Sequence, residues 1–309
     1  MKPNIRKIKQ EKTIKELLEF SIINIDKSSG PTSFSVSEFI KKTLNLRKTS
    51  HFGTLDPKVT GVLPIALNRG CKLTGFFLRE NKTYIGILRL HKDIDIKKIQ
   101  RKIKEKFTGE ILQTPPLKSR VKRQERKRTI YEFKLLEKNN LDILFLVSCQ
   151  GGTYIRKLIS DLGKEMNIGM HMLELRRTKA GIFSEPSINL YDFENAVKKY
   201  KNGNEFLLKE ILIPGEIISE LYPNIEINPD SIKKLYTGKP ILQKDMTKTS
   251  LIKLKNLKKE NLICCFSKNK FVGTYKIINP FPKRETEVCA KADFVLQPLK
   301  NSQNTIQKP

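Results

Sequence analysis

Acidic residues, cysteine and histidine are all scarce in this chain of 309 residues, and each shortage narrows what it can do. There are 32 Asp and Glu against 60 Lys and Arg, a formal net charge of +28. The excess is spread along most of the chain, so a polyanion is the partner it suits. A hot habitat would enrich Lys and Glu together. Here Lys rises without Glu, which favours nucleic acid. The five cysteines (71, 149, 264, 265, 289) show neither C-x-x-C spacing nor a regular framework, which excludes a zinc ribbon or a disulfide scaffold and fits a reducing cytoplasm. Cys264 and Cys265 lie in an apolar run and read as packing. The three histidines (51, 91, 171) are far apart and form no metal pattern. No apolar run approaches the ~18 residues that span a membrane. The basic N-terminus has no apolar stretch behind it of signal-peptide type, so a soluble protein with no membrane partner is expected. Internal repeats are absent as well.

What is present is a stretch that reads as chemistry: His51-Phe52-Gly53-Thr54-Leu55-Asp56-Pro57-Lys58-Val59-Thr60-Gly61-Val62-Leu63-Pro64. Gly53 and Gly61 bracket Asp56, and Pro57 follows it, so the backbone around this carboxylate is bent and stiffened. The apolar run from Val62 to Leu67 suits a buried strand that would anchor the loop to a core. A rigid loop beside a core strand aims a side chain. Spacing alone favours a plain turn, because Asp commonly bonds its own downstream backbone.

This run resembles the active-site motif of the TruB and dyskerin family of RNA pseudouridine synthases. Its Pro-Lys-Val-Thr-Gly continuation is closer to the archaeal and eukaryotic guide-RNA branch than to the bacterial tRNA enzymes. The resemblance implies Asp56 as the catalytic carboxylate and His51 as a neighbour of the target nucleotide. Three further stretches extend it. Lys27-Ser28-Ser29-Gly30-Pro31-Thr32-Ser33 is similar to the family's first motif, with Ser28 where proline is usual. Lys27 there reads as near RNA phosphate or as an exposed turn lysine. Thr153-Tyr154-Ile155-Arg156-Lys157-Leu158 with Asp161-Leu162-Gly163 is similar to the third motif, which puts Tyr154 among the substrate-binding residues, although Tyr154 and Ile155 also fit core packing. Met172 to Phe183 follows the pattern Leu-x-Arg-Thr-x-x-Gly-x-Phe, which places Arg177 at the family's active-site arginine, facing the carboxylate. Tyr84, in a Lys-x-Tyr setting, is placed to stack on the target base. The chain departs from the family at Phe52, where a small residue is usual.

Length favours one large and one small domain. Residues 1–20 form an N-terminal extension with Ile14, Leu17 and Leu18 at helical spacing. Residues 21–215 form the synthase domain, with strands expected at 21–26, 81–91 and 141–149. Helices are expected from Ser35, where Ser35 and Glu38 stand at capping-box spacing, from near Thr153, and over about 190–200 and 204–211. Between Lys97 and Arg128 stand 13 Lys and Arg against three acids, a basic helix followed by a tract around Pro115-Pro116 with Lys118, Arg120, Lys122, Arg123, Arg126, Lys127 and Arg128. That density suits phosphate tracking or a solvated face. Residues 225–298 resemble a PUA RNA-binding domain. They open with an Asn228 cap and Pro229, and short apolar runs at 251–254, 261–266, 270–278 and 292–296 suggest a small β-barrel. Residues 299–309 form a polar tail.

The fold implied is α+β, a mixed and largely antiparallel sheet flanked by helices plus the C-terminal β-barrel. The activity implied is isomerisation of uridine to pseudouridine in tRNA or rRNA, with neither cofactor nor metal. The branch implies an H/ACA guide RNA and the small proteins of that ribonucleoprotein as partners. Two rivals stand beside it. A non-catalytic RNA-binding scaffold would keep the charge and lose the site. A carboxylate glycosidase needs a second acid flanking the same bond, and none stands in a comparable motif.

Overall fold

The computed structural model describes residues 2–115 and 124–299. Its contacts divide the chain into two compact units, Ile22–Ile211 and a second in which the residues up to Ser21 group with those from Leu212 onward. The N-terminal segment therefore belongs with the C-terminal part of the chain. Helices α1 (Ile5–Glu11) and α2 (Ile14–Glu19) lead into strand β1 (Phe20–Lys27). Thr13 and Glu16 close a capping box at the start of α2, which satisfies two otherwise orphaned N–H groups. Leu17 and Phe20 are buried. The Phe20 ring stacks on Phe271 at 5.8 Å.

In the large unit α3 (Ser33–Thr43) begins two residues before the expected Ser35, because Thr32 is the residue that caps it, accepting from the Ser35 N–H at 3.0 Å. Glu38 bonds Lys41 instead of closing a box. There follow β2 (Thr49–His51), β3 (Thr60–Asn68), α4 (Thr74–Leu78), β4 (Lys82–Leu90), α5 (Ile96–Lys106), β5 (Gly109–Gln113), β6 (Arg126–Asn139), β7 (Asp142–Cys149), α6 (Ile155–Glu165), β8 (Met170–Ala180), β9 (Phe183–Ser184), α7 (Leu190–Lys201) and α8 (Phe206–Ile211). The sheet runs β1-β3-β8-β4-β7-β6-β5, with β2 on β3 and β9 on β8. It is parallel at β3–β8 and antiparallel from β8 to β5. Burial alternates along β4 and β7, the period-two pattern of strands with one core face. β3 is buried along its interior, as its unbroken apolar run requires. Helix α6 turns Ile155, Leu158, Ile159 and Leu162 inward, one stripe at helical spacing. At the far end of β4 and β8, two histidines distant in sequence meet, His91 Nε2 lying 2.8 Å from His171 Nδ1.

The second unit holds β10 (Leu212–Pro214), β11 (Asn224–Glu226), α9 (Ile232–Leu235), β12 (Ile241–Leu242), α10 (Lys248–Lys255), β13 (Leu262–Ser267), β14 (Lys270–Ile277) and β15 (Val288–Val295). Five strands form a curled sheet in the order β11-β13-β14-β15-β12, closed over Ile225, Leu235, Ile263, Cys265, Val272 and Tyr275. One expected strand, 251–254, is helical. Thr247 caps α10 by accepting from the Ser250 N–H. Leu254 is buried while Ile252 is 65% exposed, which is helical and not alternating order. Asn228 also departs from expectation. Its side chain spans to the Lys244 and Met246 carbonyls rather than capping the turn after it. Among the described residues no helix is long and apolar enough to cross a membrane.

Candidate active site

The loop between β2 and β3 carries Asp56, and its neighbours tie it down from below. Leu55 and Val59 are each 3% exposed, whereas the Asp56 side chain is 51% exposed. Two buried anchors thus flank one outward carboxylate. The Val59 N–H closes a turn on the Asp56 carbonyl at 2.9 Å. Lys27, fully buried, donates from Nζ to the Pro57 and Val59 carbonyls at 2.9 Å each and to Ser28 at 2.8 Å. The Gly30 N–H reaches the Pro57 carbonyl at 3.0 Å. Ser33 Oγ accepts from the Leu55 N–H at 2.7 Å and donates to its carbonyl at 3.0 Å. The segment from Lys27 to Ser33 is therefore a cradle for the Asp56 loop.

Arg177, 1% exposed, clamps the two ends of that loop. Its Nε donates to the Val62 carbonyl at 2.7 Å and an Nη to the Gly53 carbonyl at 3.0 Å. The close approach depends on Gly61, which pairs with Arg177 in the parallel ladder at φ +99. A Cβ there would lie 2.2 Å from the Arg177 carbonyl oxygen. Across the antiparallel pair Tyr84 faces Arg177, and burial raises the phenol's pKa while the Arg177 charge opposes the shift. His51 Nε2 lies 3.2 Å from Thr54 Oγ1. Burial, then the Arg177 charge, holds its imidazole below the ordinary range, so it is neutral at pH 7.

The carboxylate itself pairs with Arg156, whose Nη2 meets Asp56 Oδ2. Arg156 is the second residue of α6, and the turn before it is gripped. Gln113 is 3% exposed, accepts from the Tyr154 N–H at 3.0 Å and donates to its carbonyl at 3.2 Å. Arg128 Nε donates to the Gly152 carbonyl at 3.1 Å.

Residues 41–155 match the N-terminal domain of the TruB family of pseudouridylate synthases, and residues 156–219 match the tRNA pseudouridylate synthase B C-terminal domain. The chain is 44% identical over 231 residues to a probable tRNA pseudouridine synthase B of Methanopyrus kandleri, covering 74% of this chain and 68% of that one. To the protein of the same description from Thermococcus gammatolerans it is 37% identical over 289 residues, 91% of this chain and 85% of that one. The chain belongs to the TruB family. A chain in a solved Cbf5-Nop10-Gar1 complex superposes with a TM-score of 0.83 at 33% identity, covering 94% of this chain and 89% of that one. One in an H/ACA ribonucleoprotein bound to a substrate RNA containing 2'-deoxyuridine gives 0.81 at 31%, again over 94% and 89%.

Several residues of this TruB-family site sit otherwise than the sequence suggested. Arg177 was expected to face the carboxylate, yet its donors go to the loop backbone, and Arg156 holds the carboxylate. Arg156 stood in the Thr153–Leu158 motif without a role, and Gln113 was not singled out. What could have drawn notice to Arg156 is a cation at the start of a helix that follows Gly151-Gly152. Lys27 lies neither in an exposed turn nor open to phosphate. Burial lowers its pKa, and it serves the loop carbonyls. Phe52 turns into the core, stacked on Phe77 at 4.8 Å and tilted to Phe183 at 5.9 Å, so its bulk stays off the carboxylate side. Tyr154 is partly buried at the start of α6. Of the basic tract, Lys118, Arg120, Lys122 and Arg123 lie outside the described residues. On α5, Lys102 and Lys106 are engaged by Glu165.

Proposed function

We propose that this protein converts uridine to pseudouridine in RNA with Asp56 as the reacting carboxylate. The observation that carries the reading is the loop itself: its backbone is bound on every side, and a half-exposed carboxylate projects from it against a helix-borne arginine. The reaction breaks the N1 glycosidic bond and joins the same ring to the sugar through C5, with no net oxidation. It asks for a positioned acid rather than a redox cofactor. The base must leave its stack to reach that acid, at a cost of a few kcal/mol. In this reading Tyr84 and Tyr154 line the flipped base, His51 supports the extruded nucleotide, Arg156 orients Asp56, and Arg177 and Lys27 hold the loop. Rejoining through C5 expels the C5 hydrogen. Tritium release from C5-labelled uridine in RNA therefore reads the reaction directly. Asp56→Asn abolishes release while RNA binding persists; full release by that variant would overturn the proposal.

The names of the relatives support tRNA as a substrate, and the likeness to chains from H/ACA assemblies supports action with a guide RNA and small protein partners on rRNA. The C-terminal curled sheet serves as a PUA RNA-binding domain, and the protein works in the cytoplasm, which suits its free thiols, buried at Cys149, Cys264, Cys265 and Cys289 and partly buried at Cys71. Mapping pseudouridines made by the purified protein on tRNA with and without guide RNA separates the two modes. Tight RNA binding with no release under any guide would favour the scaffold reading.

A further inference from the structure

The mechanism above makes no use of Lys82, a lysine 3% exposed two residues before Tyr84 on the core face of β4. Its ammonium donates to the Glu80 carbonyl at 2.6 Å, to Phe77 at 3.1 Å and to Leu78 at 3.5 Å. These carbonyls belong to the end of α4 and the turn into β4, where a helix leaves acceptors unpaired. Three limbs of the site meet at this turn. Phe77 stacks on Phe52, the residue before Gly53. The position of a Cβ on Gly53 would be 3.6 Å from Lys82 Cε. On the other side Gly151, which leads through Gly152 to the start of α6, packs so closely that a Cβ would meet the Leu78, Arg79 and Glu80 carbonyls at 2.6 to 3.0 Å.

We propose that Lys82, in its ammonium form, is a positioning residue for pseudouridine formation. It holds the 77–80 turn, and through that turn it sets the Asp56 loop, the Tyr84 strand and the approach to Arg156 in one arrangement. An ammonium has three N–H groups for three carbonyls, whereas the neutral amine has two and no charge. Losing the proton therefore loosens the turn. The groups facing Lys82 are Arg177 on β8, the Glu80 side chain, the Cys149 thiol opposite it on β7 and, on its own strand, Tyr84. Burial first, then Arg177, lowers the Lys82 pKa from 10.5 to about 8, with Glu80 and Cys149 opposing. Burial raises Cys149 to about 11 and raises Tyr84 from its ordinary value, so both titrate above the Lys82 transition.

The sign of the linkage separates positioning from mere stability. Between about 8 and 10.5 the unfolded chain holds the Lys82 proton and the folded chain does not. This group alone then makes the fold more stable as pH rises. The inference predicts the opposite for activity, a loss as pH rises through about 8.

The test is single-turnover tritium release by the full chain across this window, with melting followed in parallel. Lys82→Arg keeps the charge, so its rate relative to the unsubstituted protein should climb with pH. Lys82→Met mimics the neutral state. Its rate should be down about tenfold at neutral pH, a loss of transition-state positioning, with RNA affinity unchanged. The unsubstituted protein's advantage over it should vanish above the transition. Ratios that stay flat with pH, or a Met variant at full rate at neutral pH, would overturn the inference; if one variant fails to fold, the ratio to the other decides. The inference rests on the Asp56 reading but fails separately from it. An active Asp56→Asn protein sinks that reading, whereas an inactive Asp56→Asn with flat Lys82 ratios sinks only this inference.

Discussion

At the scale of single residues, the site is built on buried cations whose hydrogen bonds run to the main chain. Lys27, at 0% exposure, serves three carbonyls around Asp56. Lys27→Met takes this donor from the Ser28 and Val59 carbonyls, each costing about 1–3 kcal/mol, while the Pro57 carbonyl keeps the Gly30 N–H. A fall in urea midpoint with an unchanged slope would record that loss. Arg156 is the reverse case. Its pair with Asp56 is 60% and 51% exposed, and such pairs contribute about 0–1 kcal/mol to stability. Arg156→Met should therefore leave the melting temperature in place while lowering kcat and not KM. A parallel fall in melting temperature would mark Arg156 as structural instead. The lysine at position 27 was visible in a turn motif, but its direction was not: strand alternation decides inward or outward only once the register is known.

At the scale of elements, the grip of β5 on the start of α6 matters most. Gln113 satisfies both backbone groups of Tyr154. Gln113→Ala takes the amide partner from the Tyr154 N–H, a loss of about 1–3 kcal/mol, while the Leu158 N–H still reaches the Tyr154 carbonyl, and it lets the Arg156 end of α6 shift. Tritium release should fall as in Arg156→Met, accompanied here by a lower melting temperature. If release is unaffected, the clamp does not position Arg156. Most elements were readable in advance because long periodic segments carry their own signal. Strand β4 lies within a residue of expectation, and the expected basic helix is present as α5. The failure at 251–254 came from a run too short to show its period. A capping threonine four residues upstream of Leu251 decided the matter.

At the scale of the whole molecule, the net charge of +28 makes RNA affinity a counterion-release problem. Log affinity should fall linearly with log salt, by about 0.7 to 0.9 per phosphate neutralised. Binding insensitive to salt would contradict a polyanion partner. The grouping of the N-terminal residues with the C-terminal unit carries its own test. Glu216 is 2% exposed and paired with Lys12. Lys12→Ala leaves a buried carboxylate uncompensated, a cost of about 3–5 kcal/mol. Differential calorimetry should show an earlier transition, and an unchanged trace would argue that the pair contributes little.

The family, the carboxylate at position 56 and the order of most strands and helices were set out by the sequence alone, since motif spacing and hydrophobic period are local properties of the chain. Which arginine meets that carboxylate was decided only by the tertiary structure. Arg156 and Arg177 both sit in family-like motifs, and one becomes an exposed partner while the other becomes a buried clamp because α6 points its first turn at the loop and β8 runs beneath it. The same holds for Lys27, Gln113, Phe52 and Lys82. Their roles depend on contacts between segments far apart in the chain, and burial across such contacts is a property that sequence spacing does not carry.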